Sequence, residues 1–461
     1  MRTTGPPAQS PTAALAPTTE LPQANLLDTV RIAGWVIAPM LARGVIVRRP
    51  PMTRLAEVVD ADKRAVKLLQ RMRIKYGHGP LRLRLPVRRM VVLLDPDHVH
   101  RVLAESPDPF TPATQEKVAA LSHFQPHGVL ISQGAERADR RRFNEEVLDS
   151  PHAVHRSADV MVGAISQELQ DLLTTASTRH LLTWDEYATT YQRVVRRVVL
   201  GDGARDDVEL TDQLTTLRAT ANWAFLHPQR TALRAQFLHR LEAHLERATP
   251  GSLAASWAHA PTTQATHPVE QVPQWMFAFD AGSWASYRAL ALLHAHPEGL
   301  ARAQQEVAGR DLSTPQDLPF LRACILESLR LWPTTPALLR ESTAPTVWDG
   351  ATMPASTSIL TYAPYFHRDE LNLPEAHHFA PELWLSERTA KDWPLVPFSA
   401  GPAECAGRNF VLHVTSTILA HLVSGPQMRL EQPDRLDPRE LPGSLDPFTL
   451  RFQVRATPAR V

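Results

Sequence analysis

A single cysteine, Cys405, lies in a glycine-rich loop directly before an apolar helical segment. The loop reads FSAGPAECAG, from Phe398 to Gly407, and also contains Gly401. Glycines allow a sharp turn and the close approach of a flat ligand. The positive end of the following helix and its free N–H groups favour the thiolate over the thiol. Such a thiolate is suited to ligate iron in an apolar pocket, although a plain turn before a helix is the alternative.

A second motif places an acid and a base on one helical face. Glu327 and Arg330 are three positions apart in the apolar stretch LRACILESLRLWP, so their side chains point the same way. In such a setting we expect a buried, hydrogen-bonded pair, with a solvent-facing ion pair as the alternative. The other cysteine of the chain, Cys324, lies in the same stretch and is expected to be a reduced core thiol.

In this order, the ESLR and FSAGPAECAG motifs resemble those of the cytochrome P450 superfamily of haem-thiolate monooxygenases, in its bacterial soluble form. The resemblance runs from about Leu55 to the C-terminus. It implies a mainly α fold with a small β region, as a triangular single domain that binds haem b. It makes Cys405 the ligand of the haem iron and assigns Phe398, Gly401 and Gly407 to the haem-binding loop.

The resemblance also assigns a helix on the opposite side of the haem. The family's oxygen-activating helix matches residues 274–296. The alcohol that this helix usually carries falls at Ala281, sixteen residues before Pro297, and the usual acid falls at Asp280. Because Ala281 lacks a hydroxyl, Asp280 is expected to be the main proton relay. A bound water, a substrate hydroxyl, or Ser283 through a helix distortion are the alternatives for the missing hydroxyl.

Three arginines are assigned to the haem propionates in the same way. Arg137 and Arg141 lie one turn apart on one helix face, and Arg340 follows ten residues after Arg330. A guanidinium donates well to carboxylates. A solvent-facing basic run is the alternative for Arg137 and Arg141.

Two departures from the family pattern remove expected partners. The arginine or histidine that usually stands two residues before the cysteine is Ala403, so one propionate contact is missing. The arginine that usually completes the network of Glu327 and Arg330 is Leu383. The sequence does not indicate what replaces either side chain, although the charge of Arg137 offers one substitute for the first.

Helical periodicity dominates the chain that positions these residues. Two short strands are predicted within residues 81–94, and residues 106–133 are predicted to form an irregular binding loop. Helices are predicted at the following ranges, with more short strands and turns after residue 333: 55–76, 96–103, much of 135–247, 274–296, 298–308, 318–331 and 408–423. Residues 1–25 are rich in Pro, Ala and Thr and are predicted to be a disordered leader, and residues 26–461 to be one domain.

Composition excludes several other classes of protein. A formal charge of +1 argues against nucleic acid as a partner, and two cysteines support neither a disulfide framework nor a structural zinc site. The apolar run at residues 32–41 is shorter than the roughly twenty residues of a membrane span, so no transmembrane segment is expected. A packed helix is expected for this run, and a weak interfacial membrane contact through residues 26–48 is the minor alternative. We expect a cytoplasmic monomer.

The resemblance implies a reaction as well as a fold. One atom of dioxygen would enter a small apolar substrate, with electrons from a separate ferredoxin- or flavodoxin-type donor, because the chain has no flavin or iron–sulfur motif. Secondary-metabolite biosynthesis is one expected setting. Two alternatives remain open at this point. They are a peroxide-driven or non-oxygen-inserting oxidative enzyme on the same fold, and a non-enzymatic haem sensor or binder.

Overall fold

Helices form most of the computed structural model, which describes residues 20–389 and 391–455. In this part of the chain the α-helices are α1 Leu26–Ile32, α2 Ala38–Arg43, α3 Pro50–Val58, α4 Ala61–Tyr76, α5 Pro96–Ala104, α6 Gln115–Leu121, α7 Gly134–Val147, α8 Ala158–Arg179, α9 Trp184–Leu200, α10 Val208–Ala221, α11 Thr231–Leu245, α12 Leu253–Trp257, α13 Val272–Ala295, α14 Pro297–Val307, α15 Pro319–Leu331, α16 Ala363–His367 and α17 Arg408–Ser424.

Short strands form three small sheets. They are β1 Leu81–Arg82, β2 Met90–Val92, β3 Phe110–Thr111, β4 Leu181–Thr183, β5 Ala337–Ser342, β6 Thr346–Trp348, β7 Ala351–Met353, β8 Ser358–Tyr362, β9 Gln427–Leu430 and β10 Arg451–Arg455. The largest sheet has the order β1-β2-β8-β5-β3, and only its β2–β8 pair is parallel among the described strands. The others are β4-β10-β9 and the β6–β7 hairpin. The predicted mainly α fold with a small β region is confirmed.

Most predicted helices lie where the periodicity placed them, with two corrections. The predicted helix at 55–76 is two helices, because Asp60 adopts a left-handed conformation with φ of 46° and breaks the chain between α3 and α4. The predicted irregular segment at 106–133 contains α6 and β3. The side-chain oxygen of Thr114 accepts a hydrogen bond from the backbone N–H of Lys117 and so caps the N-terminus of α6. The prediction was wrong here because the many prolines in this segment indicated irregular structure, and the capping residue was not taken into account.

The core surrounds α13, which packs against α9, α15 and α17. From Ala285 to Leu293 every side chain of α13 is buried, and α17 is buried on nearly all sides. A helix that is apolar all round belongs in the interior of a large domain. α13 ends where Pro297 begins the next helix. The two buried helices α13 and α17 therefore form the framework of the cavity described below.

Only the end of the predicted leader can be compared with the structure. Residues 1–19 lie outside the described residues, whereas residues 20–25 contact the first sheet through a bridge between Gln23 and Arg82, with Leu21 and Ala24 buried. The apolar segment after it forms α1, one π-helical turn and α2, and it leaves Leu26 and Trp35 substantially exposed. No described helix is both long and apolar enough to cross a membrane. The interfacial contact stays a prediction.

Candidate active site

The loop around Cys405 is held rigidly against α5. The backbone N–H of Cys405 donates to the carbonyl oxygen of Phe398 at 3.0 Å. Gly401 has φ of 69°, and a Cβ there would lie 2.2 Å from the carbonyl oxygen of Leu103. No other residue type fits that position without moving the backbone. The glycine noted in the sequence is therefore required by a close approach between the loop and α5.

The two cysteines occupy opposite environments. The side chain of Cys405 lines two adjoining cavities between the loop and α13 and is accessible from them, whereas Cys324 is fully buried in the core. Burial raises the pKa of the Cys405 thiol, while the backbone N–H of Gly407 and the charge of Arg141 lower it. Burial, followed by the charges of Glu306 and Glu327, raises the pKa of Cys324 well above its ordinary value. Of the two, only Cys405 is placed to ligate a metal.

α13 forms the opposite wall of the larger cavity. Asp280, Ala281 and Gly282 line it together with Cys405. Ser283 lines neither cavity, and its hydroxyl donates to the carbonyl oxygen of Asp280 at 2.7 Å. The helix is a regular α-helix over this stretch, so the structure contains no distortion that turns Ser283 towards Cys405.

Asp280 is held by two partners on neighbouring helices. The guanidinium of Arg218 on α10 donates to Oδ2 at 2.5 Å, and the side-chain amide of Gln192 on α9 donates to Oδ1 at 3.0 Å. Sequence reasoning missed both residues, because their role depends on which side chains of distant segments reach α13 and not on any local motif. The acid thus lies between the cavity and a polar cluster behind the helix.

Gly282 allows α9 to approach α13 closely. A Cβ at this position would lie 2.5 Å from the hydroxyl oxygen of Tyr191 and 3.1 Å from Cγ2 of Thr415. The Tyr191 hydroxyl is buried and has no hydrogen-bond partner among the described residues. The glycine is therefore explained by side-chain crowding, and not by a bend in the helix.

Three cations lie close to one another beside the cavity, and none has a carboxylate partner among the described residues. Arg340 lines the cavity, and its guanidinium is fixed by Ser106 and Ser399, each at 3.0 Å. Burial and then the charge of Arg137 lower the pKa of Arg340 to about 10. Burial and then the charge of Arg340 lower the pKa of Lys117 to about 7. None of the three cations has a described carboxylate within 4.0 Å.

Arg137 makes the strongest case for an anionic ligand at this edge. It is buried, its guanidinium makes no hydrogen bond to a described residue, and its Nε is fully enclosed. An unpartnered buried cation is costly, since arginine does not deprotonate. The two propionates of haem would supply the missing charges, with Arg340 and Lys117 beside them. The residues present therefore fit haem, and Lys117, which sequence reasoning missed, adds a third cation near Arg340.

Arg141 is engaged differently from Arg137. Its Nε donates to Glu145 at 2.6 Å, and it also donates to the carbonyl oxygen of Glu404, next to Cys405. Arg141 lines the smaller cavity. The structure therefore ties Arg141 to the cysteine loop, so any contact with a propionate would be shared with these two partners.

Arg137→Ala should weaken haem binding much more than Arg142→Ala. Arg142 is exposed, lies in the same helix α7, and pairs with Asp139 at 2.8 Å, so it is a matched control for the loss of one charge. A hydrogen bond to a charged group contributes roughly 1.5–3 kcal/mol, so the rate of haem transfer to apomyoglobin should rise at least about tenfold for Arg137→Ala. Equal transfer rates in the two variants would show that Arg137 does not bind the propionates.

The buried pair predicted in α15 is present and has a third partner. Arg330 donates to Glu327 at 2.8 and 2.6 Å, and both side chains are fully buried. The indole N–H of Trp384 donates to the second carboxylate oxygen at 2.9 Å, and the backbone N–H of Ala380 donates to the first at 2.8 Å. Trp384, the neighbour of Leu383, thus replaces the missing arginine with a neutral donor.

Comparisons with known proteins agree with this geometry. The family model for cytochrome P450 matches residues 262–446. Cyclooctat-9-en-7-ol 5-monooxygenase from Streptomyces melanosporofaciens is 37% identical over 162 residues, which cover 32% of this chain and 35% of the relative. Cytochrome P450 4c3 from Drosophila melanogaster is 33% identical over 190 residues, or 38% of this chain and 35% of the relative. The matches thus span about a third of each relative's length.

Solved structures share the fold over most of the chain. A cytochrome P450, CYP102L1, superposes with a TM-score of 0.66 at 17% identity, covering 85% of this chain and 94% of that one. Retinoic acid-bound cyanobacterial CYP120A1 gives the same TM-score and identity, covering 84% and 94%. The chain therefore has the cytochrome P450 fold, and its residues 262–446 are similar to the cytochrome P450 family, which binds haem b.

Proposed function

We propose that the protein is a haem-thiolate monooxygenase that inserts one oxygen atom from dioxygen into a small, largely apolar substrate. The observation that carries the proposal is the Cys405 side chain, which opens onto a cavity whose far wall is α13 with Asp280 and Ala281. Bound haem would supply dioxygen activation at its iron, and thiolate ligation favours cleavage of the O–O bond.

The cavity walls suit an apolar substrate. Phe277, Ala278, Ala285, Leu329 and Leu338 line the cavity between α13 and the start of β5. Apolar walls exclude water from the site, and each Å² of apolar substrate surface buried against them contributes roughly 25 cal/mol to the free energy of binding. These residues would hold the substrate in one orientation beside Ala281, whose small side chain leaves room for it.

Asp280 is the residue that would bring protons to the cavity. Its carboxylate lines the cavity and also contacts Arg218 and Gln192 behind the helix. To pass a proton, the carboxylate would exchange one of these contacts for a water molecule in the cavity. Ala281 offers no hydroxyl, so that water, or a hydroxyl of the substrate, would complete the chain.

The partners in this proposal are a separate ferredoxin- or flavodoxin-type electron donor and dioxygen. A setting in secondary metabolism is supported by the likeness to the Streptomyces cyclooctat-9-en-7-ol 5-monooxygenase, which matches over part of its length. The cytoplasmic location and the monomeric state stay predictions.

The proposal is tested with the haem-loaded protein, a ferredoxin, its reductase, reduced nicotinamide and ¹⁸O₂. We expect products that carry one ¹⁸O atom and one equivalent of reduced nicotinamide consumed for each. Product formed with hydrogen peroxide but not with dioxygen would indicate the peroxide-driven enzyme, and unlabelled oxidised product would indicate oxidation without oxygen insertion. A protein that neither turns over nor shifts its Soret band with any compound of a broad panel would be a haem sensor or binder.

The same assay tests the proton pathway. Asp280→Asn should lower product formation by about 10²-fold or more, since general acid–base groups contribute roughly 10²- to 10⁴-fold, and the lost electrons should appear as peroxide. Ser283→Ala should change little, because Ser283 does not line the cavity. Uniform uncoupling of every substrate by Ser283→Ala would contradict this assignment. Ala281→Thr should help poorly coupled substrates more than the best one.

A further inference from the structure

A half-buried arginine, Arg48, forms part of the cavity wall away from Cys405. It lies in the segment between α2 and α3, and it lines the same cavity as Asp280 and Ala281. Its guanidinium donates to the carbonyl oxygens of Gly44 at 2.6 Å and Thr334 at 2.5 Å. No described carboxylate lies within 4.0 Å of it. The charge of Arg48 is therefore not neutralised by an ion pair.

A second arginine, Arg288, lies on α13 one turn beyond Trp284 and is in the same condition. It is buried, donates to the carbonyl oxygens of Trp332 at 3.2 Å and Leu445 at 2.6 Å, and has no described carboxylate within 4.0 Å. Its Nε is buried and has no acceptor. The Nε–H of Arg288 is therefore a donor without an acceptor, on the side of α13 that faces Arg48.

Arg48 and Arg288 share a small polar cavity that adjoins the larger one. Its volume is about 30 Å³, enough for roughly two water-sized atoms. Both arginines line it, and Arg48, Trp284 and Thr334 line the larger cavity as well. The small cavity therefore continues the substrate cavity, and it has room for the two oxygens of one carboxylate.

The other charged groups around the small cavity leave it positive. Arg43 and Asp62 also line it, and these two form an ion pair with both N–O distances at 2.7 Å. The Asp62 carboxylate further accepts from Tyr362 and Ser444. Asp446 lies near Arg288 and its charge favours the protonated guanidinium, but it is more than 4.0 Å away and does not line the small cavity. Among the charged residues that line the small cavity, Arg48 and Arg288 are therefore the two without an ion-pair partner.

Desolvation makes these two unpaired charges costly in the absence of a ligand. Burial, followed by the charges of Arg43 and Arg288, lowers the pKa of Arg48 to about 9, and burial lowers that of Arg288 to about 10. Buried cations are normally paired, because their transfer out of water is not otherwise repaid. An anion in the small cavity would repay it, and a carboxylate matches the guanidinium fork.

We propose that the substrate carries a carboxylate, which Arg48 and Arg288 bind in the small cavity beside Trp284, while its apolar body extends along the larger cavity towards Cys405. This inference rests on the proposed function only in calling the bound acid a substrate, because the carboxylate-binding site itself does not depend on oxidation. It makes the substrate an apolar acid oxidised at a carbon remote from its carboxylate, and it assigns the specificity to residues outside the loop of Cys405.

The test is isothermal titration calorimetry of the haem-loaded protein with carboxylates and their neutral alcohols. The probes are decanoate, 4-cyclohexylbutanoate and 2-naphthylacetate, each paired with the alcohol of the same carbon skeleton. We expect at least one acid of the panel to bind at least about tenfold more tightly than its alcohol. Arg48→Leu should remove that preference while changing the affinity for the alcohol less than about twofold. Arg54→Leu, an exposed arginine of α3, is the matched control and should leave the preference intact.

A second variant and a competition arm complete the design. Arg48→Gln keeps a donor for the carbonyl of Thr334 without the charge, so it decides the question if Arg48→Leu does not load haem. Equal affinities for acid and alcohol, a preference that survives both variants, or no binding of any acid would overturn the proposal. Acetate or chloride binding as tightly as the longer acids would also overturn it, by showing a site for a free small anion. Because turnover is not measured, failure here is distinguishable from failure of the monooxygenase assignment.

Discussion

Cys405→Ala should abolish the red-shifted Soret band of the reduced, CO-bound protein, while Cys324→Ala should leave that band in place. The two side chains differ in surroundings and not in chemistry. Cys405 lies in the cavity opposite α13, where the Gly407 N–H and the charge of Arg141 oppose the rise that burial causes in the pKa of its thiol. Cys324 is enclosed in α15, where burial keeps the thiol protonated. Removal of the Cys405 sulfur leaves no described thiol that reaches the cavity.

The optical spectrum separates ligation from folding. Cys405→Ala should still fold, since the removed side chain faces a cavity and fills no space in the core, and its melting temperature without haem should stay close to that of the unchanged protein. Cys324→Ala is the matched control, because it also removes a single sulfur. If the band survived in Cys405→Ala and disappeared in Cys324→Ala, the assignment of the iron ligand would be wrong.

The residues with local sequence signals were the most predictable part of the site. Cys405, its flanking glycines and the pair of Glu327 and Arg330 follow from spacing within one loop and one helix. α13 and α17 could be placed within about two residues, because their apolar periodicity is long and prolines or glycines mark their ends. In these segments the chain's local preferences and its tertiary packing point to the same structure.

The residues that depend on distant segments could not be predicted. Lys117 of α6 donates to the carbonyl oxygen of Leu339, next to Arg340, and Arg218 of α10 donates to Asp280 of α13. Neither contact leaves a spacing signal in a single sequence. Trp384 replaces an arginine with an indole donor, so a search for a basic residue at that position does not find it. Arg48 would be dismissed as one of many arginines until its place in the cavity wall is known.

Glu327→Ala should leave little haem-loaded, soluble protein. Its carboxylate accepts four hydrogen bonds, two from Arg330 and one each from Ala380 and Trp384, in a site with no solvent contact. Breaking a buried pair by removing one partner costs about 3–5 kcal/mol, because Arg330 would remain as an unneutralised buried charge. A typical domain is stable by only about 5–15 kcal/mol. The loss is therefore a large part of the free energy of unfolding of a typical domain.

The network joins α15 to the segment that leads into the cysteine loop, so the damage should spread to haem retention. Arg330 also donates to the carbonyl oxygens of His367 and His378 at 2.8 Å, which fixes the chain between α16 and Trp384. Trp384→Phe removes one neutral donor and should cost less, about 1.5–3 kcal/mol for a hydrogen bond to a charged group. Glu382→Ala removes an exposed acid of the same segment, paired with Arg302 on the surface, and should behave like the unchanged protein. The melting temperature and the haem content should therefore be lowest for Glu327→Ala, intermediate for Trp384→Phe and unchanged for Glu382→Ala. A Glu327→Ala protein with ordinary haem content and melting temperature would show that Arg330 finds its stabilisation in the backbone carbonyls alone.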